Sequence, residues 1–106
     1  MTDTSTEQNL PEIMLRFHYD KNGSWLQVPL TMLALLNMPP EVFSTYSYID
    51  KESMYLEQDI DALKFLNRFK YLYTQDPVME VIDHGENAKT IREMDKNTEG
   101  TEVILH

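Results

Sequence analysis

Cysteine is absent from the 106 residues, which removes disulfides, thiolate metal ligands and cysteine nucleophiles at one stroke. Glycine is nearly absent: three in the chain cannot build a phosphate-cradling loop, and no serine stands in a nucleophile-elbow pattern. Positive charge is scarce, nine basic side chains against 18 acidic ones for a net charge of -9, so most of the exterior repels nucleic-acid phosphate and anionic membrane surfaces. No apolar run approaches the roughly 18 residues of a membrane span, and "MTDTSTEQNLPE" has neither the basic nor the apolar part of a secretory leader. The expectation is a soluble, cytoplasmic protein that uses no cofactor and carries none of the familiar catalytic signatures.

What the chain does have is a core: 42% hydrophobic and 10% aromatic residues suffice for one modest domain. Residues 1 to 11 are polar and unpatterned, a tail; residues 12 to 94 form a single domain; residues 95 to 106 make an acidic C-terminal segment with little to hold it. Within the domain, "IMLRFHYDKNGSWLQV" alternates in strand fashion, Met14, Arg16 and His18 against Leu15, Phe17 and Tyr19, with Asn22-Gly23 as a hairpin turn signal. Strands over about 13 to 19 and 24 to 28 follow. Pro29 then suits the first turn of a short, buried helix, "LTMLALLN", which Pro39-Pro40 stops.

"FSTYSYI" and "SMYLEQ" read as a second hairpin about "DKE". From Asp59, apolar residues recur at spacings of three and four (Ala62, Phe65, Leu66, Phe69, Leu72, Tyr73), which makes the main helix, and "VMEVID" is a fifth strand. The fold class expected is α+β: two β-hairpins, each followed by a helix, plus a fifth strand, with both helices on one face of a mainly antiparallel sheet.

Three candidate chemistries fail on spacing. Glu57, Asp59 and Asp61 imitate the first positions of a calcium loop, but Ala62 holds the place of its obligatory glycine and Arg68 that of its closing carboxylate. Asp59 is better placed as a helix N-cap, with Asp61 in the first turn. His18, His84 and His106 share no metal-ligand spacing, and His84, beside Asp83 and Glu86, sits in a surface turn. A stacking platform of tyrosines lacks the interleaved bases that nucleic acid needs; Tyr46 and Tyr48 share one sheet face and should pack across strands on Tyr55, with Trp25 as a core anchor.

The residues 25 to 29 "WLQVP", the "YSY" of Tyr46 to Tyr48 with its neighbouring Ser44, and "YLEQDIDALKFL" over residues 55 to 66 together resemble small proteins carried by bacterial plasmids, phages and integrative elements. The likeness spans about residues 24 to 67, and Gln58 departs from it where a second Glu is expected. It implies a genomic habitat rich in accessory and host-interaction roles, and no cofactor or catalytic residue. The function expected is that of a small acidic, non-enzymatic protein that binds another protein, with Trp25, Tyr46, Tyr48, Tyr55, Glu57, Asp59 and Asp61 as candidate contacts. The alternative is a nucleic-acid mimic that blocks a DNA-processing or defence enzyme. Pairing with a second copy through an edge strand is open to a chain of this kind.

Overall fold

A two-residue turn, Lys21 and Asn22, joins β1 (Met14–Asp20) to β2 (Gly23–Pro29), with Asp20 opposite Gly23. Asn22 N–H donates to the Asp20 carboxylate at 2.8 Å, the local side-chain bond that makes Asp a turn former. The turn needs no left-handed residue here. Gly23 matters for space instead: a Cβ there would stand 3.3 Å from both the Arg92 guanidinium and the Trp25 ring. The computed structural model describes residues 14 to 98; the tail expected over residues 1 to 11 and most of the expected acidic end segment lie outside them.

Pro29 closes β2, still paired with Ser53, and serves as the N-cap of α1 (Leu30–Leu35) where the expectation put it inside the helix. The helix buries Met32 and Leu33 but leaves Leu35 exposed, so it is not covered all round as its composition suggested. It ends at Asn37 in the left-handed region, φ 58°, a conformation Asn tolerates. A 3-10 turn (Pro40–Val42) leads to β3, which is only Tyr48–Ile49, and then to β4 (Ser53–Glu57).

The longer strand expected over residues 43 to 49 does not form, because side-chain acceptors capture its backbone. Ser44 N–H donates to both oxygens of Asp61 at 3.0 Å, and Tyr46 N–H to Ser44 Oγ at 3.1 Å. Such local side-chain bonds compete with a ladder for the same backbone donors.

A π-helical turn (Gln58–Ala62) precedes α2 (Leu63–Tyr73), which buries Phe65 and Phe69. The expected periodicity holds, but the cap differs: Glu57, not Asp59, accepts the N–H groups of Asp59 and Ile60, both at 3.0 Å. The helix ends at Thr74 in the left-handed region, φ 62°, whose N–H donates to Lys70 O at 2.8 Å. Then β5 (Val78–Asp83), α3 (Lys89–Arg92) and β6 (Asp95–Lys96) complete the described chain.

The strands form one six-stranded sheet in the order β5-β1-β2-β4-β3-β6. It is mixed: β5 lies parallel to β1, whereas every other pair is antiparallel. Since β4 and β1 both run antiparallel to β2, β4 and β5 point the same way, and α2 carries the chain between them across the sheet. Pro77, just before β5, is buried.

One face of the sheet, with Leu15, Leu26, Val28, Met54 and Leu56, is covered by α1 and α2 and holds the main core. Burying Phe65 and Phe69 there contributes about 2 kcal/mol each. The opposite face is not bare, and this corrects the expected one-sided arrangement of helices: α3 lies there, packing Ala88 and Ile91 against Trp25 and Tyr55. No described helix is long and apolar enough to cross a membrane.

Candidate binding cleft

On the α3 side, the β1–β2 turn, the loop before β3, the π-helical turn and β6 surround a cleft of about 320 Å³. Trp25 comes from β2, where strand alternation points it away from the main core, and it is 4% exposed. Tyr48 meets it edge-on, ring centroids 6.3 Å apart at 69°, a favoured aromatic geometry. Tyr46 stands on the rim, 38% exposed. Tyr55, opposite Tyr48 in the ladder, is buried beneath this layer with Ala88 and Ile91. The sharing of one face by Tyr48 and Tyr55 is as expected, and so is the buried Trp25.

Opposite charges meet across the aromatic floor. Glu57 and Asp59 line it together with Arg92 and Lys96. The Arg92 guanidinium carbon lies 4.9 Å from the Trp25 ring centroid, and Lys96 Nζ 4.5 Å from that of Tyr48, both within cation–π range. Glu57 is held by its capping bonds, while Ser24 Oγ donates to Gln58 Oε1 between the turn and the π-helical segment.

Two buried carboxylates hold the walls. The Asp20 side chain has no solvent exposure and accepts from Arg92 Nε at 2.8 Å, from the second guanidinium nitrogen at 2.9 Å, and from Ala88 N–H at 2.8 Å. The Arg92 hydrogen bond holds the Asp20 carboxyl well below the usual carboxylate range; burial opposes this, and the Ala88 and Asn22 N–H bonds reinforce it. The bridge between the ends of β1 and α3 thus fixes Arg92 over Trp25. Asp61, expected in the first turn and as a candidate contact, does stand in the first turn but is 0% exposed. It accepts from Ser44 Oγ at 2.7 Å and Ser47 Oγ at 2.5 Å besides the Ser44 N–H, and Ser47 Oγ accepts from Glu57 N–H at 2.9 Å. Asp61 therefore shapes the loop that carries Tyr46 and Tyr48 without lining the cleft itself. Asn97 secures the same loop through its side-chain amide, which donates to Pro40 O at 2.9 Å and Ser44 O at 3.1 Å.

The fold thus brings Trp25, Tyr46, Tyr48, Glu57 and Asp59 into one cleft, with Tyr55 below it and Asp61 behind it. Sequence reasoning missed Arg92, Lys96 and Asp20. Arg92 and Asp20 lie 72 positions apart, and no local pattern joins them.

It also missed a histidine pair outside the cleft. His18 Nδ1 and His84 Nε2 are 2.8 Å apart, and His18 Nε2 lies 2.8 Å from Gln27 Oε1. With Gln27 offering its carbonyl oxygen, His18 donates from Nε2 and accepts from His84 through Nδ1, the neutral tautomer. Burial lowers the pKa of His18; the Gln27 bond opposes that, and the His84 and Arg16 charges add to it. Among the described residues no group of three or more His, Asp or Glu side chains converges in a way that could hold a metal ion. The chain matches no protein-family model, no curated protein and no solved structure.

Proposed function

We propose that this chain is a non-enzymatic interaction protein that grips a segment of another protein in the cleft beside Trp25. The observation that carries the reading is the convergence, in one concavity, of an aromatic floor with two acids, Glu57 and Asp59, and two cations held over its rings, Arg92 and Lys96. A peptide presents that mixture: apolar or aromatic side chains for Tyr46 and Tyr48, and groups of either sign for Asp59 and Lys96. Trp25 is buried and packed against Tyr48 and Arg92, and a floor formed in advance limits the ordering cost of binding. A place among accessory proteins of mobile elements fits such a role.

Charge balance in the cleft speaks against the nucleic-acid mimic. A mimic needs one sign of charge spaced along a surface, whereas the cleft of this chain of net charge -9 sets Glu57 and Asp59 beside Lys96 and beside Arg92, whose own charge is paired with Asp20. Selection from a displayed random-peptide library on the immobilised protein tests the proposal. Peptides enriched on the wild type should be lost on Tyr46→Ala combined with Asp59→Lys, two exposed changes that leave the core untouched. Enrichment that is equal on both proteins overturns it.

A further inference from the structure

β5 ends the sheet, and among the described residues nothing pairs with its outer side. Its phase is set by one bond: His84 N–H donates to Tyr19 O at 2.8 Å. In a parallel ladder every second residue turns its N–H and C=O towards the partner strand. With Ile82 opposite His18 and Glu80 opposite Arg16, residues 80, 82 and 84 face β1, so Met79, Val81 and Asp83 present their N–H and C=O groups outward. The strand is also apolar on both faces of the sheet: Val81 is 64% exposed on the α1–α2 side and Val78 67% exposed on the other. It carries no proline, bulge or lysine to guard a free edge; its charged side chains are Glu80, paired with Arg16, and Asp83.

We infer that a second copy of this chain pairs with this edge, β5 antiparallel to β5, about a twofold axis at Val81. The register follows from hydrogen-bond phase and charge. A twofold axis perpendicular to the sheet places residues of equal face opposite each other. Centring on Val81 sets Val81 against its own copy and Met79 against Asp83 in both directions. All three outward residues then meet outward residues, giving two hydrogen bonds at the centre and two at each flanking pair, six in total. Centring one residue earlier or later leaves four within Val78–Asp83.

The earlier register also sets Glu80 opposite Glu80, and like charges face to face destabilise a ladder. With Val81 at the centre, Glu80 faces Ile82, and its own copy moves from directly opposite to one diagonal, about 7–8 Å away, with His84 on the other. The two sheets join into one of twelve strands, twice the six of a single chain, and the exposed Val81 and Met79 side chains of the two copies cover one another.

The test uses the full chain in sedimentation equilibrium from micromolar to millimolar concentration. The wild type should dimerise, and Val81→Pro should be monomeric throughout. The Val81 N–H points outward, so its loss spares the β1–β5 ladder, and the thermal midpoint of the Val81→Pro monomer should match that of wild type at dilutions where the wild type is dissociated. A monomeric wild type at millimolar concentration, as when a segment of the same chain or nothing covers the edge, overturns the proposal; so does a dimer indifferent to Val81→Pro. The register is read separately and does not depend on the proline variant folding. Because the chain lacks cysteine, Val81→Cys should give a disulfide-linked dimer on mild oxidation, its two Cα atoms lying about 5.5 Å apart. Glu80→Cys, with copies about 7–8 Å apart on the diagonal, should not; linkage of Glu80→Cys in preference to Val81→Cys contradicts the register.

Discussion

Replacing Asp20 by Asn removes a charge that is sealed between the β1–β2 turn, α3 and Arg92. The carboxylate receives two guanidinium contacts at 2.8 and 2.9 Å and two backbone N–H bonds, from Ala88 and Asn22, each at 2.8 Å. An Asn keeps one acceptor oxygen for one of those backbone donors and turns an amide N–H₂ towards groups that are themselves donors. Removing one partner of a fully buried pair costs about 3–5 kcal/mol. Arg92 is 35% exposed and can turn to water, so the cost here is nearer about 2 kcal/mol. With a urea dependence of about 2 kcal/mol per molar, the unfolding midpoint at pH 7 should fall by about 1 M.

The pH dependence separates this from simple loss of shape. The folded Asp20 pKa is depressed, so its stabilisation is present in full above the unfolded value of about 3.9 and is lost as pH falls through that value towards the lower folded one. Wild type and Asp20→Asn should therefore converge in urea midpoint as the pH drops below about 4. Equal midpoints at pH 7, or a gap that persists unchanged at pH 2.5, would refute the reasoning.

Three further outcomes follow from the same geometry. Asp61→Ala leaves the Ser44 N–H and two serine hydroxyls without their acceptor in a site of 0% exposure, so it should destabilise by about 3 kcal/mol in urea titration and change the near-ultraviolet dichroism of Tyr46 and Tyr48; Ser44→Ala should cost less. His18 has a lowered folded pKa, so the unfolded chain takes the proton first, and stability should decline as pH falls from about 6.5 towards the folded value. His18→Gln should flatten that decline between pH 7 and 5 in the same assay, and an unchanged slope would contradict the neutral, buried assignment. Gly23→Ala brings a methyl group to within 3.3 Å of Arg92 and the Trp25 ring, and should weaken cleft binding more than it lowers the thermal midpoint.

The parts of the fold that could be read in the sequence are those that local physics decides. Alternation around Asn22-Gly23 marks β1 and β2, three-and-four spacing marks α2, and the β-branched stretch "VMEVID" after Pro77 marks β5. What escaped depends on partners far along the chain. The parallel placement of β5 follows from the path of α2 across the sheet, and α3 is a single turn whose apolar anchors, its N-cap Ala88 and Ile91, with Met94 beyond it, are too few to show a period until Trp25 lies beneath them. The segment from Phe43 to Ser47 has the composition of a strand, yet the carboxylate of Asp61 takes its backbone donor and serine hydroxyls. The first-turn place of Asp61 was legible and its burial was not, since helix-start position and burial are independent facts. In the cleft, the aromatics and acids stood out by type, while Arg92 and Lys96 sat in a charged stretch with nothing to distinguish them from solvent-facing neighbours.

The most direct test of cleft-mediated protein binding is affinity capture from nuclease-treated lysate of the source organism, at low and high salt, with the wild type beside Tyr46→Ala combined with Asp59→Lys. A partner retained by the wild type at high salt, indifferent to added duplex DNA and released by the paired substitutions, is the result expected of an aromatic-anchored cleft; a hot-spot loss of about 2 kcal/mol corresponds to roughly thirtyfold weaker binding. A partner that dissociates at high salt, competes with duplex and ignores those substitutions would contradict it and return the acidic exterior to the centre of the function.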